Sequence, residues 1–497
     1  MTENDQRTSN ACITLLGLGP GDPTALTRRA WDWLTRIDKL YLRTVHHPTV
    51  ASLPTHLTLV SFDDLYERHD DFEDVYEAII QEILVLGKTA SVTYAVPGHP
   101  FVAEATCPEI ARRAAAAGIP VEVIDGLSFL EPTFRALKID PFPDLILADA
   151  IQVSQRQTPG FPPSTPALIA QIYDRDVAAE VKLTLMAVYP DEHPVRLVHA
   201  AGTDEEVVED MPLYAIDQGT GLGLLSSLYV PPLSAGASFE AFQEVIARLR
   251  AQDGCPWDRE QTHLSLRPFL LEEAYETLDA LDREDMDDLA EELGDLLLQI
   301  VLHAQIATEE GDFNIHHVLE GIGSKLIRRH PHVFSEVKVT GVDGVIRNWE
   351  QIKAEERQGY SDEAHNGLLN GVPAALPALS QAAQVIERVG RVGFDRLAMM
   401  GNAEGVQFLI KLLAITDEPE RNAAMGEVLL AVTSLAHQAG IDAESALREA
   451  LTRFRTHFSA MEALALASGR ALMDLSQEEM NRLWQDTGDS GQNEVDG

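Results

Sequence analysis

The chain has 497 residues, which exceeds one core and points to several domains, and a formal net charge of −41, from 79 acidic and 38 basic side chains. That charge argues against a nucleic acid polymer as partner, since such partners want a basic face. The 45% hydrophobic content is ordinary, the start MTENDQRTSN is polar, no apolar run spans a bilayer, and Cys12, Cys107 and Cys255 form neither a disulfide framework nor a CxxC site, so a cytoplasmic protein with no membrane partner is expected.

In chain order, Ala11 to Gly17 reads as a buried strand, followed by the turn Gly17-Leu-Gly19-Pro20-Gly21-Asp22-Pro23 and a helix from about Leu26. Glycines in such a turn let a ligand approach the backbone, although a lone turn of this kind is commonly structural. Pro20 breaks the GxGxxG dinucleotide spacing, and the Gly-Lys-Ser/Thr of a P-loop is missing. A second strand, Ala90 to Val96, leads into Pro97-Gly98-His99-Pro100. Further strands are expected at Val121–Ile124, Leu145–Leu147 and Leu197–Ala200, with helices at Glu73–Leu86 and Glu104–Ala117. This alternation predicts βαβ units and a mostly parallel sheet.

GLGPGDPTALTRRA and TYAVPGHPFVAEAT, with VAAEVKLTLMAVYPDEHPV and AAGTDEEVVEDMPLY further on, resemble the tetrapyrrole (corrin/porphyrin) methylases. The resemblance covers residues 1–232. It implies two α/β subdomains with S-adenosylmethionine in the cleft between them, shaped by Gly19, Pro20, Gly21, Pro97, Gly98 and Pro100. Many active members carry Gly-Asp-Pro where this chain has Gly98-His99-Pro100, so methyl transfer is in question while the fold is less so. His99 reads as a loop histidine without chemistry.

Pro231 to Ser238 has linker composition, and helical periodicity then takes over. A helix from Phe239 to Arg250 ends at Asp253-Gly-Cys-Pro-Trp257-Asp258. Pro268 suits the first turn of the next helix, with Ser265 as an upstream capping candidate. The stretch from Leu271 to Gln305 then sets two acidic clusters on consecutive helices: Glu272-Glu273-x-x-Glu276 and Glu291-Glu292-x-x-Asp295. Glu273 with Glu276, and Glu292 with Asp295, share helix faces. Leu271, Ala274, Leu278 and Leu281 form an apolar stripe on the first helix, and Leu289, Leu293, Leu296, Leu297, Ile300 and Val301 on the second, so a packed hairpin is expected. Packing would gather carboxylates that repel unless neutralised, and a hard cation, Mg²⁺ or Mn²⁺, is the natural partner. The competing reading is solvated surface: from Glu272 to Asp295 there are twelve acids and one base, Arg283.

The helix Ile315–Arg329 carries Lys325, Arg328 and Arg329 on one edge, a solvated face by itself and a phosphate clamp beside an acidic bundle. Trp349 and Lys353, spaced (i, i+4), add a stacking plane and a cation. Trp257 is a base-stacking candidate or a core tryptophan.

GCPWDREQTHLSLRPFLLEEAYETLDAL, EELGDLLLQIVLHAQIA, KLIRRHPHVF and NWEQIKAEER are similar, in order and over more than a hundred residues, to the MazG-type nucleoside triphosphate pyrophosphohydrolases. The resemblance implies an all-α, dimeric domain, placed at 238–362, that cleaves nucleoside triphosphates to monophosphate and pyrophosphate. It makes Glu273, Glu276, Glu292 and Asp295 the Mg²⁺ ligands. Glu272 or Glu273 would take the proton of the attacking water, and Lys325, Arg328 and Arg329 would stabilise departing pyrophosphate.

Residues 367–485 read as a worn MazG-like copy. Ala424 to Leu430 echoes Glu292 to Leu298, and Ala450 to Phe458 echoes Leu326 to Phe334, but Ala424 replaces Glu292 and Val406–Leu413 lacks Glu-Glu-x-x-Glu. This copy suits packing or dimerisation. A disordered tail is expected at 486–497. The fold class is multidomain, an α/β methylase-like domain followed by all-α helical domains. Two other functions compete with the hydrolase: an S-adenosylmethionine-dependent methyltransferase with a regulatory helical part, and a nucleotide sensor that binds without turnover.

Overall fold

The computed structural model describes residues 11–69, 71–223, 225–335, 337–359, 369–370, 372–394 and 417–490. The chain divides into two compact units, Met1–Glu260 and Gln261–Gly497.

The first unit holds two sheets. In the first, β1 (Cys12–Gly17), β2 (Lys39–Leu42), β3 (Thr58–Ser61), β4 (Ser91–Val96) and β5 (Val121–Ile124) lie in the order β3-β2-β4-β1-β5, all parallel. Helices α1 (Arg28–Leu34), α2 (Asp63–Arg68), α3 (Phe72–Gly87), α4 (Thr106–Ala116) and α5 (Leu130–Leu137) alternate with or follow these strands. Both faces are covered, which is why β1 is a continuous apolar run instead of an alternating one. Ile13 and Leu15 pack with Val92, Tyr94, Ile79 and Ile110, whereas Leu16 packs on the other face with Leu34, Leu40, Leu42 and Ile124.

The second sheet departs from the expectation of mostly parallel strands. Here β6 (Ile146–Asp149), β7 (Ala167–Ala170), β8 (Pro194–His199), β9 (Val207–Pro212) and β10 (Ser226–Val230) take the order β6-β7-β10-β8-β9, and only β6 and β7 run parallel. A short connection between β8 and β9 leaves no room for a crossover helix, so that pair has to be antiparallel. Helices α6 (Ala150–Ser154) and α7 (Arg175–Met186) pack on this sheet, with Ala178, Val181 and Leu185 of α7 in its core. The expected linker ends at Ser238, which caps α8 (Phe239–Arg250) through Ala241 N–H and hydrogen-bonds Ser164 at 2.7 Å. Thus α8 and the short α9 (Pro256–Glu260) lie in the first unit.

The second unit is helical: α10 (Arg267–Asp282), α11 (Met286–Glu310), α12 (Ile315–Arg329), α13 (Pro331–Phe334), α14 (Gly341–Gly359), α15 (Ala378–Gly390), α16 (Glu418–Gln438), α17 (Ala443–Ala467) and α18 (Gln477–Ser490), numbered among the described residues. Asp285 caps α11 by accepting Asp288 N–H. Asn314 and His317 form a reciprocal capping box on α12. Ser265 is no cap: Leu266 holds the N-cap position of α10 without a side-chain hydrogen bond, and the Ser265 hydroxyl serves a local turn with Thr262 and Gln261.

The hairpin of α10 and α11 forms, but only partly along the expected stripes: of these, Val301 is buried and Ala274, Leu289 and Leu296 are half-buried. Small side chains, Thr277 and Ala280 on α10 and Ala304 and Ala307 on α11, are buried together with Val301 and Leu302. Leu271, Leu278 and Leu281, with Leu293, Leu297 and Ile300, remain exposed in the single chain. Close helix approach selects small residues on the inside and leaves the larger ones for another partner. The echoed segments lie on α16 and α17, but Arg455 stands where Pro331 starts α13, and α17 runs on unbroken. Val406–Leu413 lies outside the described residues. The last helix reaches Ser490, into the expected tail, and 491–497 are likewise outside.

Candidate functional site

In the helical unit, α10 presents Glu273 and Glu276 and α11 presents Glu292, with one carboxylate oxygen of each lying within 4.8 Å of the others. Among the described residues no other set of His, Cys, Asp or Glu comes together in this way. Burial, then the charges of Asp295, Glu276, Glu272 and Glu292, hold the Glu273 carboxyl above its ordinary pKa. Burial, then Glu276, Asp288, Asp295 and Glu291, do the same to Glu292. Glu292 also keeps Oε2 out of solvent with no hydrogen-bond partner. A buried anionic oxygen without a donor is costly unless a cation faces it. All donors are carboxylate oxygens, which suits a hard divalent ion and not a soft one. The residues therefore fit Mg²⁺ or Mn²⁺.

Asp295 is half-buried one turn beyond Glu292. It lies outside the three-residue cluster, though its charge acts on both Glu273 and Glu292. Glu272 is exposed and also outside the cluster, so of the two proton acceptors named from sequence only Glu273 stands among the converging oxygens.

The basic edge is organised by a residue that sequence reasoning missed. Arg328 donates to Glu356 Oε1 from Nε (2.7 Å) with its Nη2 at 2.6 Å, and Arg329 donates to Oε2 from Nη2 (2.6 Å) and Nε (3.2 Å) and to Oε1 from Nε (3.4 Å). The two guanidiniums draw the Glu356 pKa down to about 2, Arg329 most strongly. On the same helix as Glu356, Trp349 lies under the Arg329 guanidinium at 5.4 Å and the Lys353 ammonium at 4.6 Å. Lys325 is exposed and joins neither contact. Trp349, Lys353 and Glu356 recur at helical spacing, and that periodicity was the available signal for Glu356. Trp257 is 55% exposed on α9 of the first unit.

In the first unit, a cavity of about 150 Å³ is lined by Gly19, Pro20, Pro97 and Gly98 together with Arg43 and His47. The two turns meet backbone to backbone: Gly19 N–H donates to Gly98 O (3.2 Å) and Gly98 N–H to Gly19 O (2.8 Å). Both glycines have positive φ, 77° and 67°. Gly21 and Pro100 do not line this cavity: Gly21 packs near Thr203 and Pro48, and Pro100 is buried. His99 accepts Phe101 N–H at 3.0 Å and approaches Asp125 at 3.5 Å, bracing its loop. Arg43 pairs with the buried Glu104, a contact between residues far apart in sequence and therefore not readable from spacing. Burial, then the Arg43 charge, lowers the His47 pKa to about 4. Arg43 Nε and His47 Nδ1 are buried without partners, so the cavity retains polar groups to offer a ligand.

The family of tetrapyrrole (corrin/porphyrin) methylases matches residues 12–217, and the MazG nucleotide pyrophosphohydrolase domain matches residues 261–334. Protein YabN of Bacillus subtilis is 40% identical over 482 residues, covering 95% of this chain and 97% of its own. The nucleoside triphosphate pyrophosphohydrolase of Escherichia coli K12 is 40% identical over 248 residues, 48% of this chain and 93% of its own. The nucleoside triphosphate pyrophosphohydrolase/pyrophosphatase MazG of Thermotoga maritima is 39% identical over 252 residues, 50% of this chain and 96% of its own. The chain therefore belongs to the YabN family and to the MazG-type nucleoside triphosphate pyrophosphohydrolases, with a tetrapyrrole methylase-like domain placed ahead of the MazG domain.

Proposed function

We propose that the helical unit hydrolyses nucleoside triphosphates to nucleoside monophosphate and pyrophosphate in a Mg²⁺-dependent reaction. The observation that carries this reading is the convergence of Glu273, Glu276 and Glu292 within 4.8 Å, with raised proton affinities on Glu273 and Glu292. Glu273, Glu276, Glu292 and Asp295 would hold Mg²⁺, with Mn²⁺ as substitute; the bound ion supplies Lewis acidity and neutralises phosphate charge. A carboxylate not fully committed to the ion, Glu272 or Glu273, accepts a proton from the attacking water. Arg328 and Arg329 stabilise the charge of the departing pyrophosphate, aided by Lys325. Trp349 and Lys353 contact the nucleotide.

The exposed leucines of α10 and α11 support a homodimer through the helical units. The cavity of the first unit is the seat for S-adenosylmethionine, supported by its glycine turns and by the unpartnered Arg43 Nε and His47 Nδ1. Pyrophosphate release from a panel of nucleoside triphosphates, with and without Mg²⁺, tests the hydrolase. Saturable nucleotide binding without product would contradict it and favour the sensor.

A further inference from the structure

The contact between α12 and α14 brings one carboxylate between two arginines. Glu356 receives both guanidiniums on their Nε/Nη2 side: Arg328 donates from Nε to Oε1 with Nη2 at 2.6 Å, and Arg329 donates from Nη2 to Oε2 and from Nε to both oxygens. The Nη1 atom of Arg328 and of Arg329 has no hydrogen bond among the described residues. We infer that Glu356 is a positioning residue for nucleotide hydrolysis: it clamps one edge of Arg328 and one edge of Arg329 so that the Nη1 edges are held ready for the polyphosphate.

Charge separates this role from a closed ion pair. Two guanidiniums against one carboxylate leave a net charge of +1 (2 − 1), before Lys325 or Lys353 is added, so the group still attracts a polyphosphate. Arginine side chains have about 2 kcal/mol of rotamer entropy to lose, and a carboxylate that has already fixed two of them removes that cost from the binding step. Shelter favours the Arg329 half of the clamp: Glu356 and Arg329 have side chains only 16% and 17% exposed, against 56% for Arg328. Trp349 beneath Arg329 limits the remaining swing of that guanidinium. An aspartate at position 356 keeps the charge but is one methylene shorter, so it can reach one arginine better than two.

This inference rests on the pyrophosphohydrolase reading, and two readouts separate their fates. The full chain is compared with Glu356→Gln and Glu356→Asp, recording kcat and KM for a nucleoside triphosphate with Mg²⁺. Binding of inorganic triphosphate with Mg²⁺ is followed in parallel by calorimetry, and a thermal melt confirms folding. Glu356→Gln is expected to raise KM and the triphosphate Kd about tenfold or more, the usual loss when a hydrogen-bonded supporting group is removed, and to lower kcat as well because the same arginines stabilise the departing pyrophosphate, with partial recovery in Glu356→Asp. An unchanged or lowered KM and Kd in a folded Glu356→Gln protein overturns the inference, the lowered value marking Glu356 as a competitor for the arginines. Should Glu356→Gln fail to fold, Glu356→Asp decides, and wild-type affinity in it overturns the inference. Wild-type chain that binds triphosphate without releasing pyrophosphate ends the hydrolase reading alone; chain that binds no triphosphate ends both.

Discussion

Glu292 and Glu356 are carboxylates on the same helical unit with opposite circumstances. Glu292 keeps an oxygen buried without a donor and faces other acids, whereas Glu356 is gripped by two arginines. Carboxyl ¹³C titration of metal-free protein should therefore find Glu356 titrating near 2, well below Glu273 and Glu292, which lie above the ordinary range; the reverse order would refute this electrostatic picture. Because the Glu356 pKa is depressed, its ion pairs add stability above the unfolded value of about 4.3 and lose it as pH falls through about 2. Glu292→Gln removes one of the converging charges, so the metal-free variant should melt no lower than wild type. A clear fall in Tm would show that Glu292 is a stabilising contact and not a site kept for a cation.

Among the elements, the hairpin of α10 and α11 makes the sharpest structural statement. Its acids were readable because three- and four-residue spacing maps directly onto a helix face, and α12 follows its predicted bounds because Asn314 caps its start and Pro331 follows its end. Its packing was not readable, since periodicity says which residues are apolar and not which of two apolar faces meets the neighbour within the chain. Sequence patterning also missed β7, which is short, and β9 and β10, which mix polar and apolar residues without alternation, and with them the antiparallel character of the second sheet. Leu293→Asp with Leu297→Asp should convert a dimer to a monomer by sedimentation with little loss of monomer stability, about 0.5 kcal/mol or less per exposed site. An unaltered sedimentation coefficient would retire this face as the interface. In the first unit, a Cβ at Gly17 would sit 2.5 Å from Gly98 O and 2.6 Å from Gly126 N, all backbone. Gly17→Ala should destabilise that unit by about 1–3 kcal/mol, visible as a lower Tm; a wild-type melt would mean the two turns are not held together as described.

At the scale of the whole molecule, one chain joins a small cavity built from glycine turns to a set of clustered carboxylates, under a net charge of −41. Self-repulsion at that charge is screened by salt, so Tm should rise between low and roughly 1 M NaCl, and a flat response would show that the acids are locally compensated. Neither the Arg43–Glu104 pair nor the Glu356 clamp was legible in the sequence, because each joins residues from separate elements whose meeting depends on tertiary packing. The tetrapyrrole-methylase and MazG segments were legible because their motifs occur as ordered runs in the chain. The most direct test of the central claim is Mg²⁺-dependent pyrophosphate release by wild type and Glu292→Gln at matched folding. Clustered carboxylates that hold a catalytic ion predict release from wild type only with Mg²⁺ and a loss of about 100-fold or more in the variant; equal rates in the two proteins, or release indifferent to Mg²⁺, would contradict it.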